Sequence, residues 1–205
     1  MIRAALIRPR LYRDFMRSED LSPSTVRAAA WLGEQIGAFE ALRGHRVTKW
    51  QGSEWALRFD DESDEPAQFD DPEVPCVQAI ELIAVVEGQD PVCFWAPQDD
   101  EGFGLGIERR HWTRRHSGGA LRSRESLPLP TGIVERVEVR VEHSCISEVA
   151  MQVGGVDILL VAGEVGDAWG ELLQWHRFDE QVLAFPNASD ADQIDWVPPR
   201  PPGPA

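Results

Sequence analysis

The chain has 205 residues, with 35 acidic residues against 20 basic ones and a formal net charge of −15. This excess of negative charge opposes binding to nucleic acid and to anionic membranes, and it favours a basic protein as the partner. The length suits a single domain that can bury a sizeable core without a disulfide or a metal. An apolar fraction of 42% argues against disorder in the body of the chain.

The cysteines and the N-terminus bear on the compartment. Three widely spaced cysteines, none in a CxxC pair, predict reduced thiols in a reducing environment. Residues 1–13 carry four arginines but no apolar run typical of a signal peptide. No stretch approaches the ~18 apolar residues of a membrane span. We therefore expect a cytoplasmic protein, and a single lysine among the basic residues indicates a GC-rich, bacterial coding sequence.

The N-terminal part predicts helices followed by a hairpin. Apolar residues recur at helical spacing over 22–43, with Ser22 as the N-cap and Gly44 as the stop signal. A shorter helix is expected over 10–17. Two strands, 46–50 and 54–59, are expected to form a hairpin around Gln51-Gly52-Ser53.

The middle of the chain is harder to interpret. Residues 60–73 hold eight carboxylates and predict an exposed, mobile loop. Over 73–87, start and stop signals favour a helix whereas β-branched content favours a strand, and we predict a helix. Val92–Trp95 and Phe103–Ile107 predict two strands around an acidic turn.

The C-terminal third predicts an antiparallel meander of about five strands over 135–185. Val137, Val139 and Val141 alternate with charged residues, and Gly154-Gly155 signals a tight hairpin. A further hairpin is expected around a polar turn at 177–180. The predicted fold class is therefore α+β, with N-terminal helices and a mainly antiparallel sheet. Residues 1–197 would form one domain, and the proline-rich residues 198–205 a disordered tail.

A segment rich in arginine follows the predicted strands of the middle region. Arginine side chains bind anions and phosphates, which makes the segment a candidate anion site. The competing and favoured interpretation is that these arginines pair with the chain's own acidic surface, the loop at 60–73 being the obvious partner. The candidate anion-binding residues are Arg109, Arg110, Arg114 and Arg115.

No motif names a reaction, a metal or a cofactor. The sequence contains no GxSxG elbow, no Walker A loop and no GxGxxG. His111 and His116, or His143 and Cys145, lack further ligands at any familiar zinc spacing. We therefore expect neither a metal nor a cofactor.

These features favour a protein-binding module over an enzyme. An acidic face speeds docking onto a basic partner, and tryptophan is enriched in binding hot spots. We expect an inhibitor or immunity-type protein, or another module of this kind. The alternative is a hydrolase-like enzyme that uses His111, His143 or His176 with carboxylates. The candidate partner-binding residues are Trp112, Trp169, Asp190, Asp192 and Trp196.

Overall fold

A computed structural model of the chain describes residues 23–59, 66–98, 103–111, 113, 118–167 and 173–201. It contains one α-helix, α1 (Pro23–Glu40), and one 3-10 helix (Ala188–Gln193) within those residues. Ten strands make up the rest of the regular structure: β1 (Arg46–Trp55), β2 (Val77–Val86), β3 (Val92–Trp95), β4 (Gly106–Arg109), β5 (Leu121–Arg124), β6 (Gly132–Glu142), β7 (Cys145–Val153), β8 (Val156–Asp167), β9 (Leu173–Phe185) and β10 (Trp196–Val197).

The predicted α+β class is wrong, because the described chain is mostly β and its ten strands belong to one sheet. The helix predicted over 22–43 is present as α1, whereas residues 10–17 lie outside the described residues. Two other segments were predicted wrongly: one is a strand rather than a helix, and the other is one continuous strand rather than a hairpin.

The first of these segments is β2, which was predicted as a helix over 73–87. Its polar residues Gln78 and Glu81 are buried, so the strand shows no alternation of polar and apolar residues. Both find partners: Gln78 Oε1 accepts a hydrogen bond from the backbone N–H of Val165 at 2.6 Å, and Glu81 forms an ion pair with Arg110. The sequence of a strand that is covered on both faces does not alternate between polar and apolar residues, which explains why β2 was predicted as a helix.

The second segment is β1, where a hairpin around Gly52 was predicted. The strand instead runs unbroken past Gly52 and pairs with β2 on one side. A Cβ atom at Gly52 would lie 2.3 Å from the carbonyl oxygen of Glu81. Glycine is therefore needed here for the close approach of two backbones rather than for a turn.

The sheet closes on itself through an additional pairing between β2 and β9. Six antiparallel strands thus form a closed ring in the order β1, β2, β9, β8, β7, β6 and back to β1. Strands β3 and β4 continue the sheet beyond β2, β5 pairs with β1, and β10 pairs with β9. Ring closure joins the predicted meander to N-terminal strands that the sequence pattern did not assign to it.

The meander over 135–185 contains four strands, β6 to β9, rather than five. The Gly154-Gly155 turn is present, with φ angles of 58° and 80°. The last predicted hairpin is wrong, because Gly163 pairs with Arg177 whereas the preceding Ala162 pairs with Val182. Residues 178–181 are therefore a four-residue bulge in a single strand, and their polar character imitates a turn.

Apolar residues cover both faces of β8 and β9. One face joins the inner core, on which Leu32 and Phe39 of α1 pack. The opposite face belongs to a second group, the outer cluster, and full burial of such side chains stabilises the fold by about 1.5–3 kcal/mol each. The outer cluster consists of Leu159, Val161, Leu183, Phe185, Ala191 and Trp196.

Two further sequence predictions can be compared with the fold. All three cysteines are free, as predicted. In the described part of the chain, no helix combines the length and the apolar character needed to cross a bilayer.

Candidate functional site: a groove beside the C-terminal segment

The chain after β9 folds back onto the outer cluster. The 3-10 helix is capped by Asn187, whose side chain accepts a hydrogen bond from the backbone N–H of Ser189 at 3.4 Å. Strand β10 then pairs in parallel with β9, placing Trp196 beside Trp175. This path fixes residues 188–201 along one side of the closed sheet.

Trp196 anchors this segment from within. Its side chain is 3% exposed, and its indole Nε1 donates a hydrogen bond to the carbonyl of Ala191 at 2.8 Å. Its ring makes edge contacts with Trp175 and Phe185, at centroid distances of 5.5 and 5.9 Å. Trp196, a candidate partner-binding residue of the sequence analysis, therefore fills the protein's own outer cluster with its ring.

A buried ion-pair network lies under the C-terminal segment and centres on Glu148. Its carboxylate is 3.1 Å from Arg140 Nη1, 2.8 Å from Arg200 Nε and 3.5 Å from Arg177 Nη2. Arg177 also pairs with Glu142, and Arg200 also pairs with Asp192. Three arginines thus balance three carboxylates, which a largely buried network requires in order to be stable.

The same arginines hold the proline-rich tail. Arg140 Nη1 donates to the carbonyl of Pro201 at 3.1 Å, and Arg177 Nη1 donates to that of Pro199 at 3.2 Å. Prolines lack an N–H but keep the carbonyl acceptor, so a guanidinium can fix them. The predicted disorder over 198–205 is therefore wrong for residues 198–201, and residues 202–205 lie outside the described residues.

A groove of about 370 Å³ opens between the 3-10 helix and the tail. Asp192 and Asp195 are its acidic residues, and Ile194 and two prolines of the tail, Pro199 and Pro201, provide apolar surface. Asp192 is neutralised by Arg200, whereas Asp195 has no ion-pair or hydrogen-bond partner among the described residues. Because Arg200 is shared between Asp192 and the buried Glu148, the groove keeps an excess of negative charge.

Two of the predicted partner-binding residues, Asp192 and Trp196, meet in this groove. Asp190 lies in the adjoining 3-10 helix, where its Oδ1 accepts a hydrogen bond from Asn187 Nδ2 at 3.0 Å. Trp112 and Trp169 lie outside the described residues.

Sequence reasoning missed three residues that matter at this site: Asp195, Arg200 and Glu148. The local signals for Arg200 and Glu148 are weak. Arg200 stands within a run of prolines, and Glu148 stands at an outward position of an apolar strand. Their pairing spans 52 positions, so no local pattern could show it.

The predicted anion site does not present free arginines in the described region. Arg110 pairs with Glu81 and, at 3.0 Å, with Glu108, while Arg109 donates to the carbonyl of Asp90 at 3.4 Å. Arg110 thus pairs with the chain's own carboxylates, as in the interpretation that the sequence favoured, but these are Glu81 and Glu108 rather than residues of the loop at 60–73. Arg114 and Arg115 lie outside the described residues.

The histidines of the alternative enzyme site do not line the groove. His111 is 82% exposed and lies 3.7 Å from Asp90, and His143 contacts the ring of Phe178. His176 lies opposite Glu164 in the β8–β9 register. Burial, with the nearby charges of Asp179 and Glu180, raises the pKa of Glu164 to about 7.

Within the described residues, no three or more His, Cys, Asp or Glu side chains are arranged to hold a metal ion. Comparisons of the chain with protein-family models, with curated proteins and with solved structures found no match in any of the three. The fold and the groove describe the class of protein: a mostly β protein with a closed sheet and an acidic groove beside its C-terminal segment.

Proposed function

We propose that the protein is a cytoplasmic binding module that docks a basic protein partner in the C-terminal groove, in the manner of an inhibitor or immunity-type protein. The observation that carries this proposal is the carboxylate of Asp195, which has no ion-pair or hydrogen-bond partner among the described residues and lies beside Asp192 in a groove with apolar surface. A lysine or arginine of the partner would place its charge at Asp195 and its alkyl stem against Ile194 and Pro199.

Rigidity and charge both support this function. The groove rests on the buried network and on Trp196, so little conformational entropy is lost when a partner binds. A net charge of −15 accelerates encounter with a basic surface and disfavours acidic competitors.

Binding of defined peptides tests the proposal. Hexalysine and hexaglutamate are titrated into isotope-labelled protein, and amide shifts are followed at low and at physiological salt. We expect hexalysine to shift residues 191–201 and hexaglutamate to shift none of them. Asp195→Lys should weaken hexalysine binding about fivefold, because a contacting carboxylate becomes a repelling ammonium.

Glu40→Lys is the matched control, since it makes the same change in net charge at an exposed position of α1. It should alter the affinity less than about twofold. Equal losses in the two variants would mean that only the overall charge is sensed, and the groove would not be the docking site.

A second candidate function is acid–base catalysis at Glu164, favoured by its pKa near neutrality and by His176 opposite it. A panel of chromogenic esters, phosphates and glycosides provides the test. The hypothesis requires turnover with a pH limb near 7 that Glu164→Gln abolishes. Turnover that survives this substitution would remove Glu164 from consideration.

A further inference from the structure

A second groove, of about 260 Å³, lies between β5, the end of β1 and the segment that leads into β2. It is independent of the C-terminal groove, and the proposal below does not rest on the function proposed above. Much of its wall is apolar, and we call it the proline-walled groove. That wall includes Leu57, Phe69, Val74, Pro75, Pro128 and Pro186.

The carboxylates of this groove already have partners. Glu54 Oε2 accepts from Arg122 Nε at 2.8 Å, and both oxygens of Asp70 accept from the same guanidinium, at 2.9 and 3.2 Å. Asp71 accepts from Arg58 at 2.6 Å. Hydrogen bonds from Arg122 and Arg58 lower the pKa of Asp70 and of Asp71 respectively, so both stay ionised and satisfied.

Arg124 is different, because it donates no hydrogen bond within the described part of the chain and has only a distant ion-pair partner. Its Nη1 lies 3.7 Å from Glu54, too far for a hydrogen bond, and it donates to no other group among the described residues. Its neighbour across the strand pair is Gly52, which has no side chain to offer. The side chain is 35% exposed and lines the groove, so a planar fork of donors faces a cavity with apolar walls.

We propose that the proline-walled groove binds a small apolar carboxylic acid, whose carboxylate pairs with Arg124 and whose hydrocarbon body lies against the prolines and Phe69. A guanidinium fork matches a carboxylate bidentately. Three carboxylates line the same groove, so a single negative charge on the ligand suits it better than the double charge of a phosphate. The volume falls below the range of about 300–1,000 Å³ that drug-sized ligands occupy, which favours a small acid.

Two isosteric probes, 3-phenylpropionate and 3-phenylpropionamide, isolate the contribution of the charge. Each is titrated into isotope-labelled full-length protein, and amide shifts locate the site. We expect the acid to bind at least about tenfold more tightly than the amide, with shifts around residues 69–77 and 121–128. Arg124→Gln should reduce acid binding to the level of the amide and leave amide binding unchanged.

Arg109→Gln is the matched control, since it removes an exposed arginine from a different edge of the sheet. It should leave both affinities unchanged. Arg124→Lys keeps the charge but loses the fork, and it should bind the acid with intermediate affinity.

Several results would overturn the proposal. Equal affinities of the two probes for the unaltered protein would exclude a charge contact, and this comparison needs no variant to fold. Shifts confined to another part of the molecule, or no binding of either probe below about 10 mM, would exclude the site. Tighter binding of phenethylamine than of the acid would mean that the carboxylates of the groove, and not Arg124, select the ligand.

Discussion

Two carboxylate–arginine networks among the described residues use the same chemistry at different depths. Around Glu148, whose side chain is 3% exposed, three arginines and three carboxylates join the sheet to the C-terminal segment. Around Glu54, Arg122 bridges to Asp70, whose side chain is 75% exposed. Ion pairs contribute little where water competes, whereas a buried charge that loses its partner is costly. The burial of an ion pair, rather than the number of ion pairs, should therefore determine how far each substitution lowers the free energy of unfolding.

The largest effect is expected from Glu148→Gln. An amide in this position would leave Arg140, Arg177 and Arg200 with one carboxylate too few in a buried setting. We expect the free energy of unfolding to fall by about 3–5 kcal/mol. Urea denaturation followed by circular dichroism measures it. Glu138→Gln, at a more exposed position of neighbouring β6, is the control and should cost less than about 1 kcal/mol; similar losses for both would refute the role of depth.

An intermediate effect is expected from Arg122→Gln. Glu54, whose side chain is 7% exposed, would lose its hydrogen bond and keep only the more distant Arg124. We expect a loss of about 2 kcal/mol in the same denaturation assay. Arg46→Gln, which removes an exposed ion pair at 3.6 Å, should stay within about 0.5 kcal/mol. A loss for Arg122→Gln as large as that for Glu148→Gln would remove the distinction between the networks.

Glu164 extends the comparison to a carboxylate without an arginine among its described partners, because its pKa is shifted by burial and by the charges of Asp179 and Glu180. Its pKa is raised from 4.5 to about 7, so between these values the folded protein holds a proton that the unfolded chain has released. The free energy of unfolding should therefore fall as the pH rises from 4.5 to 7. Glu164→Gln should reduce the total fall in the free energy of unfolding between pH 4.5 and 7 by about 1 kcal/mol. This is less than the pKa shift alone implies, because solvent screens a partly exposed carboxylate.

Denaturation at a series of pH values measures the slope. Glu180→Gln is informative beside it, since removal of one repelling charge should lower the pKa of Glu164 and reduce the slope without abolishing it. An unchanged slope in Glu164→Gln would show that other groups cause it.

The smallest effect is expected from Asp70→Asn. Its carboxylate accepts two hydrogen bonds from Arg122 but is mostly in water. We expect a change below about 0.5 kcal/mol at neutral pH. A loss above 2 kcal/mol would indicate that the outer ion pair behaves as if it were buried.

Local signals predicted the local parts of the fold. The helix α1 was predicted from its periodicity and from the flanking Ser22 and Gly44, and the Gly154-Gly155 turn from its composition. Strand β2 was not recognised, and β1 was predicted as a hairpin rather than one strand, because burial on both faces of β2 and a backbone contact at Gly52 depend on distant partners. The bulge after Arg177 was mistaken for a turn for the same reason.

The candidate site was predicted only in part. Acidic composition indicated Asp190 and Asp192, and the second of these lines the groove. Nothing local indicated that Arg200 would pair with Glu148, or that Trp196 would be buried by residues of β9. Such sites depend on tertiary pairing, which sequence spacing alone does not encode.

Closure of the ring also has a consequence for the time course of folding. The pairing of Val77 with Ala184 completes the ring, and it links residues that lie about half of the chain apart in sequence. During synthesis β1 and β2 emerge long before β9, so their unpaired edges and apolar inner faces stay open meanwhile. Proteins dominated by such non-local pairs fold in about milliseconds to seconds. The nascent chain should therefore be a client of chaperones until β9 has left the ribosome.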